Sequence, residues 1–297
     1  MKPAAFNYLR PTDLEEALGY LSEYGEDAKI LSGGQSLIPV LNMRLSTPNY
    51  LIDVSKISDL NYIRQNDGYI AIGALTKHIE IEESTLIKEH IPLLAEAIRY
   101  VGHTQIRNRG TIGGSIAHGD PSAELPCVLT ALRGEIVITS LEGEVILTPE
   151  EFFLTFLLTS LQADQLIKEV RFPVIKKSSG TSFEEVSRRY GDFAIAEVAT
   201  VVDVNEEGKF TNAQIAVGGV NPVPTVLGEV EEFLIGKQPS NDVFEKVHEI
   251  TMESVEPESD LHGTAEYRRE LAGTLVVRAL KKAFNRAQKG EIEWIEF

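Results

Sequence analysis

Two short glycine-rich segments constrain the fold of this chain more than any other feature. Residues 32–36 directly follow a predicted strand, and residues 109–115 form the second segment. Glycine adopts positive φ and lets consecutive backbone N–H groups approach a ligand, an arrangement that suits a pyrophosphate. Taken singly, each glycine pair is more typical of a tight turn. The chain has no G-x-G-x-x-G or G-x-x-x-x-G-K-[ST] motif, which disfavours a Rossmann or P-loop site.

The hydrophobic pattern predicts short strands and helices that alternate as far as Pro173. Capping boxes are predicted at Thr12 with Glu15 and at Thr148 with Glu151. The polar residues 176–180 then mark a domain boundary. Beyond them, strands over 195–204 and 210–217 predict an antiparallel hairpin, and three helices follow it. The order of these elements is typical of the α+β class.

Composition excludes several functions. The formal net charge of −17 disfavours binding to nucleic acid or to anionic lipid. Cys127 is the single cysteine, so the chain alone cannot hold an iron–sulfur cluster. The six histidines show no ligand spacing, and we expect no metal site. No apolar run approaches the ~20 residues of a membrane span. Low cysteine use and the absence of a signal-peptide pattern lead us to expect a cytoplasmic protein.

Longer strings around the glycine segments resemble one family. They are residues 31–39 (Leu-Ser-Gly-Gly-Gln-Ser-Leu-Ile-Pro), 105–114 (Gln-Ile-Arg-Asn-Arg-Gly-Thr-Ile-Gly-Gly) and 115–126 (Ser-Ile-Ala-His-Gly-Asp-Pro-Ser-Ala-Glu-Leu-Pro). Residues 188–194 and 267–270 match as well. Together the strings resemble the FAD-binding medium subunits of the molybdenum hydroxylases, of the carbon monoxide dehydrogenase and xanthine dehydrogenase type.

The resemblance implies a fold and a set of partners. We expect a FAD-binding domain of the vanillyl-alcohol-oxidase (PCMH) type over residues 1–176, made of two α+β subdomains over about 1–56 and 57–176. A small α+β domain, an antiparallel sheet with helices, is expected over 177–297. The cofactor implied is FAD. The implied partners are a large molybdopterin subunit and a small subunit with two [2Fe–2S] clusters, with two copies of each subunit in a heterohexamer.

The resemblance also implies which residues contact FAD, with the pyrophosphate lying between the two glycine segments. Glu124 is expected near the ribose and adenine, Leu166 beside the flavin, and Phe193 against the isoalloxazine ring, where several relatives have tyrosine. Phe193 is equally well interpreted as an ordinary core residue. The expected walls of the pyrophosphate site are Ser32, Gly33, Gly34, Gln35, Ser36 and Leu37 on one side, and Thr111, Ile112, Gly113, Gly114 and Ser115 on the other.

Other charged positions are open to interpretation. Relatives commonly carry a lysine where this chain has Glu185, and a carboxylate there would oppose negative charge on a reduced flavin. Either Arg188 or Arg189 substitutes for that lysine, or the acceptor chemistry differs. Arg107 and Arg109 are candidates to approach phosphate or to dock an iron–sulfur partner.

The function implied is electron transfer, with FAD receiving electrons from the [2Fe–2S] clusters and passing them to a terminal acceptor. No residue of this chain is expected to act on the organic substrate, which the molybdenum subunit selects. Two alternatives stay open: a free-standing flavoprotein oxidoreductase with its own substrate, and a flavin-free assembly scaffold.

Overall fold

A computed structural model describes residues 1–289, so residues 290–297 of the predicted C-terminal domain lie outside the described residues. The strands form three main sheets and one small hairpin. In chain order they are β1 (Asn7–Leu9), β2 (Ala28–Leu31), β3 (Tyr50–Asp53), β4 (Ile63–Gln65), β5 (Tyr69–Gly73), β6 (Glu135–Ser140), β7 (Gly143–Leu147), β8 (Phe153–Thr155), β9 (Leu158–Thr159), β10 (Leu166–Pro173), β11 (Gly180–Ser187), β12 (Ala194–Val204), β13 (Phe210–Gly218) and β14 (Thr225–Val226).

Most of the helices are short. Among residues 1–289, no helix is both long and apolar enough to cross a membrane. The helices are α1 (Leu14–Tyr24), α2 (Leu37–Asn42), α3 (His78–Glu83), α4 (Thr85–His90), α5 (Pro92–Ala97), α6 (Thr104–Arg107), α7 (Ile112–His118), α8 (Glu124–Ala131), α9 (Pro149–Phe152), α10 (Gly228–Leu234), α11 (Asn241–Glu253) and α12 (Ala265–Lys289).

The first sheet is parallel and has the strand order β1-β3-β2. Its core includes the apolar side of α1, and the predicted strand over 28–31 is confirmed as β2. The predicted capping box of α1 is wrong by one residue. Asp13 rather than Thr12 accepts the hydrogen bond, from the Glu16 N–H at 2.9 Å, and the Glu16 carboxylate accepts from the Thr12 N–H. Asp13 takes the position because its backbone is extended there.

The second sheet is antiparallel, in the order β4-β5-β10-β6-β7. Its core includes apolar side chains of α5, α7 and α8. The predicted capping box of Thr148 and Glu151 is confirmed at the start of α9. Pro92 opens α5, where the missing N–H of proline costs no hydrogen bond. This half of the molecule therefore has the α+β character that the sequence predicts.

The third sheet is antiparallel, in the order β11-β12-β13-β14, and the predicted hairpin is confirmed as β12 and β13. Its inner face, which includes Phe183, Ala199 and Ala216, joins the core of the second sheet. Its outer face packs against α10, α11 and α12. The strand β11 has no counterpart among the predicted strands, because its sequence is as polar as a linker.

An ion cluster joins α5 to the third sheet and to α12. The Glu96 carboxylate receives Arg286 Nη1 at 2.7 Å and Lys282 Nζ at 2.8 Å. The Phe183 N–H of β11 also donates to Glu96, at 3.3 Å. Lys282 and Arg278 both contact Glu184 on β11. The cluster stabilises the packing of the N-terminal half against the last helix.

Removing the Glu96 carboxylate should destabilise the fold. Glu96→Ala leaves the Arg286 side chain, which is only 9% exposed, without its buried carboxylate, so we expect a loss of about 3–5 kcal/mol in the free energy of unfolding. The control is Glu249→Ala, which removes an exposed pair with Lys246 and should cost less than about 1 kcal/mol. Urea unfolding measures both, and similar small losses in the two variants would contradict the role of the cluster.

Candidate functional site

The two glycine segments meet in the structure. We call residues 32–37 the first glycine loop and residues 109–115 the second glycine loop. A Cβ on Gly33 would overlap the carbonyl oxygen of Arg109 and would lie 2.8 Å from the Gly110 Cα. The hydroxyls of Ser32 and Thr111 share a hydrogen bond of 2.7 Å. The loops therefore touch, and a glycine at position 33 permits the contact.

The first glycine loop leaves its amides open. It runs from the end of β2 into α2, with Gly34 at a φ of 74°. Among residues 1–289, no acceptor receives a backbone N–H from residues 33–37. The Gln35 side chain donates to the Gly33 carbonyl at 3.1 Å and braces the turn. A run of partly exposed amides without acceptors is suited to an anion such as a phosphate.

The second glycine loop differs, because most of its amides are already hydrogen-bonded. The Ile112 N–H donates to the Thr76 carbonyl at 3.1 Å and the Gly113 N–H to the Ala74 carbonyl at 2.9 Å. The Thr111 hydroxyl accepts from the Gly114 N–H at 3.2 Å. A Cβ on Gly113 would lie 2.5 Å from that of Ala74. These bonds attach the loop to the end of β5, so it serves as a wall that supports the first loop.

A histidine that the sequence did not single out lies behind the second loop. His78 is 5% exposed, and its N–H donates to the Gly110 carbonyl at 3.0 Å. A Cβ on Gly110 would lie 2.9 Å from the His78 ring. Burial lowers the pKa of His78 to about 4, which keeps the ring neutral. His78 therefore contributes shape rather than charge to the base of the loop.

The structure places the other predicted contact residues in different surroundings. Glu124 is buried at the first position of α8. Leu166 is 4% exposed at the start of β10, so its side chain packs in the core. Phe193 is 60% exposed, and its interpretation as a core residue is wrong. The neighbouring Ala194 N–H donates to the Ser122 carbonyl at 3.4 Å, which fixes the Phe193 loop beside the start of α8.

The Arg107 guanidinium is bound by groups of this chain. Its Nε donates to Glu82 Oε2 at 2.7 Å, and its Nη1 donates to the carbonyls of Val101 and Gly102. The interpretation of Arg107 as a phosphate or docking residue is wrong, because these bonds occupy a buried guanidinium. Arg109, by contrast, is exposed.

Three carboxyl groups meet beneath the start of α8. Glu185 and Glu197 are direct cross-strand partners on β11 and β12, and Glu124 comes from α8. Burial, followed by the nearby Glu185 charge, raises the pKa of Glu124 to about 8. Burial raises the pKa of Glu185 to about 7 and, together with the charges of Glu124 and Glu185, raises the pKa of Glu197 well above its usual range. The signal for Glu197 in the sequence is a glutamate inside the otherwise apolar run 194–199.

Other donors do not form a metal centre within the described part of the chain. Among residues 1–289, no group of three or more histidine, cysteine, aspartate or glutamate side chains is arranged to hold a metal ion. Cys127 is a buried free thiol whose pKa is raised by burial. Amides without acceptors and titratable carboxyls are thus the chemically distinctive groups of this region.

Comparison with known protein families gives two matches that together span most of the chain. Residues 4–175 match the FAD binding domain in molybdopterin dehydrogenase. Residues 181–283 match the CO dehydrogenase flavoprotein C-terminal domain.

Individual proteins are similar over nearly their whole length. The 6-hydroxypseudooxynicotine dehydrogenase complex subunit alpha of Paenarthrobacter nicotinovorans is 41% identical, over 97% of each chain. The caffeine dehydrogenase subunit beta of Pseudomonas sp. strain CBB1 is 40% identical, over 96% of this chain and 97% of its own. A solved structure of carbon monoxide dehydrogenase from Hydrogenophaga pseudoflava superimposes with a TM-score of 0.93 at 34% identity, over 96% of this chain and 99% of that one.

The carboxyl cluster predicts a specific dependence of stability on pH. Each of its pKa values is raised above that of an unfolded glutamate, so the folded chain binds more protons than the unfolded chain and loses stability as pH rises from about 5 to about 8. Glu197→Gln removes one of these titrations, and its melting temperature should fall less between pH 6 and pH 9 than that of the unmodified chain. Calorimetric melting curves measure the difference.

The matched control is Glu229→Gln, the same change at an exposed position on α10. Its pH profile should follow that of the unmodified chain. A Glu197→Gln profile parallel to both would show that Glu197 does not titrate in this range.

Proposed function

We propose a function from one premise: this chain belongs to the family of FAD-binding subunits of the molybdenum hydroxylases, and FAD is its cofactor. The proposed function is electron transfer inside a complex of three kinds of subunit. Electrons pass from [2Fe–2S] clusters on a partner to FAD on this chain and then to a terminal acceptor. The observation that supports it most directly is the row of open amides in the first glycine loop.

The residues present fit FAD. In the proposed site the amides of residues 33–37 bind the pyrophosphate, and Gly33 and Gly34 keep side-chain bulk away from it. The second glycine loop closes the opposite side, through Thr111, Ile112, Gly113, Gly114 and Ser115. When bound, FAD supplies a centre that takes up electrons singly and releases them in pairs. The chain orients the cofactor and excludes water from one side of it.

The remaining contacts are proposed from the positions of three side chains. We propose that Glu124 contacts the ribose and adenine and that the exposed Phe193 ring contacts one face of the isoalloxazine. The Leu166 side chain lies in the core, so a contact between Leu166 and flavin would involve its backbone. No residue of this chain is assigned a catalytic role toward an organic substrate.

The proposed partners are a large molybdopterin subunit and a small subunit with two [2Fe–2S] clusters, in two copies each with this chain. Relatives are themselves subunits of dehydrogenases, which supports a multisubunit complex. One cysteine in 297 residues cannot supply the thiolates of a cluster, so the clusters belong to another chain. Sparse cysteine also supports a reducing location, and we propose the cytoplasm.

We propose the domain division at residue 176, with subdomains over about 1–56 and 57–176. The gap between the two family matches, after residue 175 and before residue 181, supports this boundary. The end of β10 at Pro173 and the start of β11 at Gly180 support it as well. The C-terminal domain runs over 177–297, of which 177–289 is described.

Metal and flavin analysis of the native complex tests the proposal. The complex is purified from source cells through a tag on this chain, and its FAD, molybdenum and iron are measured along with its native mass. We expect about one molybdenum and about four iron atoms per FAD, from one molybdopterin and two [2Fe–2S] clusters. FAD without molybdenum or iron would instead support a free-standing flavoprotein oxidoreductase. Metals without FAD would support a flavin-free assembly scaffold.

A further inference from the structure

The three carboxyls beneath α8 lie where the inner face of the third sheet packs against the N-terminal domain. Glu185 and Glu197 are on the inner face of the third sheet. Each lies two residues along its strand from a core residue of that face, Phe183 on β11 and Ala199 on β12. Glu197 pairs with Gly218 on β13, where an added Cβ would overlap the Glu197 carboxyl. A glycine at 218 therefore makes room for a carboxyl group in an otherwise apolar interface.

Within the described residues 1–289, no cation lies in salt-bridge contact with the cluster. Both carboxyl oxygens of Glu197, which is 0% exposed, and the Oε2 of Glu185 have no hydrogen-bond partner within residues 1–289. Arg107 acts on Glu124 through its charge, but Arg107 is already bound to Glu82. Buried carboxylates that face each other without a cation cannot all stay ionised.

The other titratable and charged groups around the cluster do not neutralise its negative charge. They are Asp120 before α8, Cys127 on α8, Tyr100 after α5, and, on the opposite face of β11, Glu184, which is already bound to Arg278 and Lys282. The Ser187 hydroxyl lowers the pKa of Glu185 only in part. The cluster therefore reduces its charge by holding protons.

We infer that Glu124, Glu185 and Glu197 form a shared proton-binding site that is coupled to FAD, so that FAD binds tightly when the site holds its protons and more weakly when it has released them. The inference rests on the proposed FAD site. The two sites share Glu124, which is also the proposed contact of the ribose and adenine, and α7 connects the second glycine loop to the segment before α8.

Charge repulsion supplies the coupling. The FAD pyrophosphate is an anion, and an ionised carboxylate nearby in a partly buried setting repels it, whereas a neutral carboxylic acid does not. Coupling between two sites is reciprocal, so FAD binding must draw protons onto the cluster from solvent. One or more protons from solvent form O–H bonds on the carboxylates, and no electron is transferred.

The pKa values of about 7 for Glu185 and about 8 for Glu124 set the pH range of the effect. FAD affinity should be constant below about pH 6 and should fall by about tenfold by pH 9. Glu197→Gln should reduce that fall to about threefold or less, because it removes one carboxylate and weakens the repulsion that raises the other two pKa values.

The experiment measures the affinity of the full chain, stripped of FAD, for added FAD at pH 6, 7.5 and 9. Flavin fluorescence reports binding, and calorimetry in two buffers of different ionisation enthalpy reports proton uptake. The unmodified chain should take up protons at pH 7.5, and the control Glu229→Gln should behave identically. Glu185→Gln provides a second test should Glu197→Gln fail to fold.

Identical pH profiles for the unmodified chain and both cluster variants, without proton uptake, would overturn the coupling and leave the FAD site intact. A chain that binds no FAD at any pH would overturn the proposed function itself, and the coupling with it.

Discussion

The contact of Gly33 with the backbone of Arg109 and Gly110 is the constraint on which the candidate site depends. The first sheet delivers one loop to this contact and the second sheet delivers the other. Hydrogen bonds from the Ile112 and Gly113 amides to Thr76 and Ala74 hold the second loop in place. The first loop rests against that wall with its own amides open. The two loops therefore have different roles: the first supplies hydrogen-bond donors, and the second fixes where the first loop lies.

The third sheet brings the carboxyl cluster to the same region, and it does so because both of its faces are buried. Its outer face packs on the long C-terminal helix, and the Glu96 ion cluster stabilises that arrangement at one end. Its inner face carries Glu185 and Glu197 toward α8. Ionised groups at such a seam require either partners or protons. The Glu96 cluster has cations as partners, and the Glu124 cluster has none in salt-bridge contact among residues 1–289.

Much of this arrangement was predictable from sequence, because it depends on short motifs. Both glycine loops, the α+β class and the β12–β13 hairpin follow from local patterns. The strand β11 and the role of Glu197 do not, because each is defined by a neighbour distant in the chain. The same limit applies to the loop amides: sequence shows the glycines of the second loop but not that Ala74 and Thr76 accept its N–H groups. The sequence shows that Arg107 is basic but not that its side chain is buried and bound to Glu82.

We propose that close contact between the two glycine loops creates the FAD site. The affinity of the Gly33→Ala variant for FAD tests this proposal most directly. A Cβ at this position overlaps the Arg109 carbonyl and forces the loops apart, so affinity should fall at least about tenfold, or about 1.4 kcal/mol. Gly19→Ala is the matched control, since its added Cβ meets no atom within 4 Å. Unchanged affinity in Gly33→Ala, in a chain that folds normally, would contradict the account.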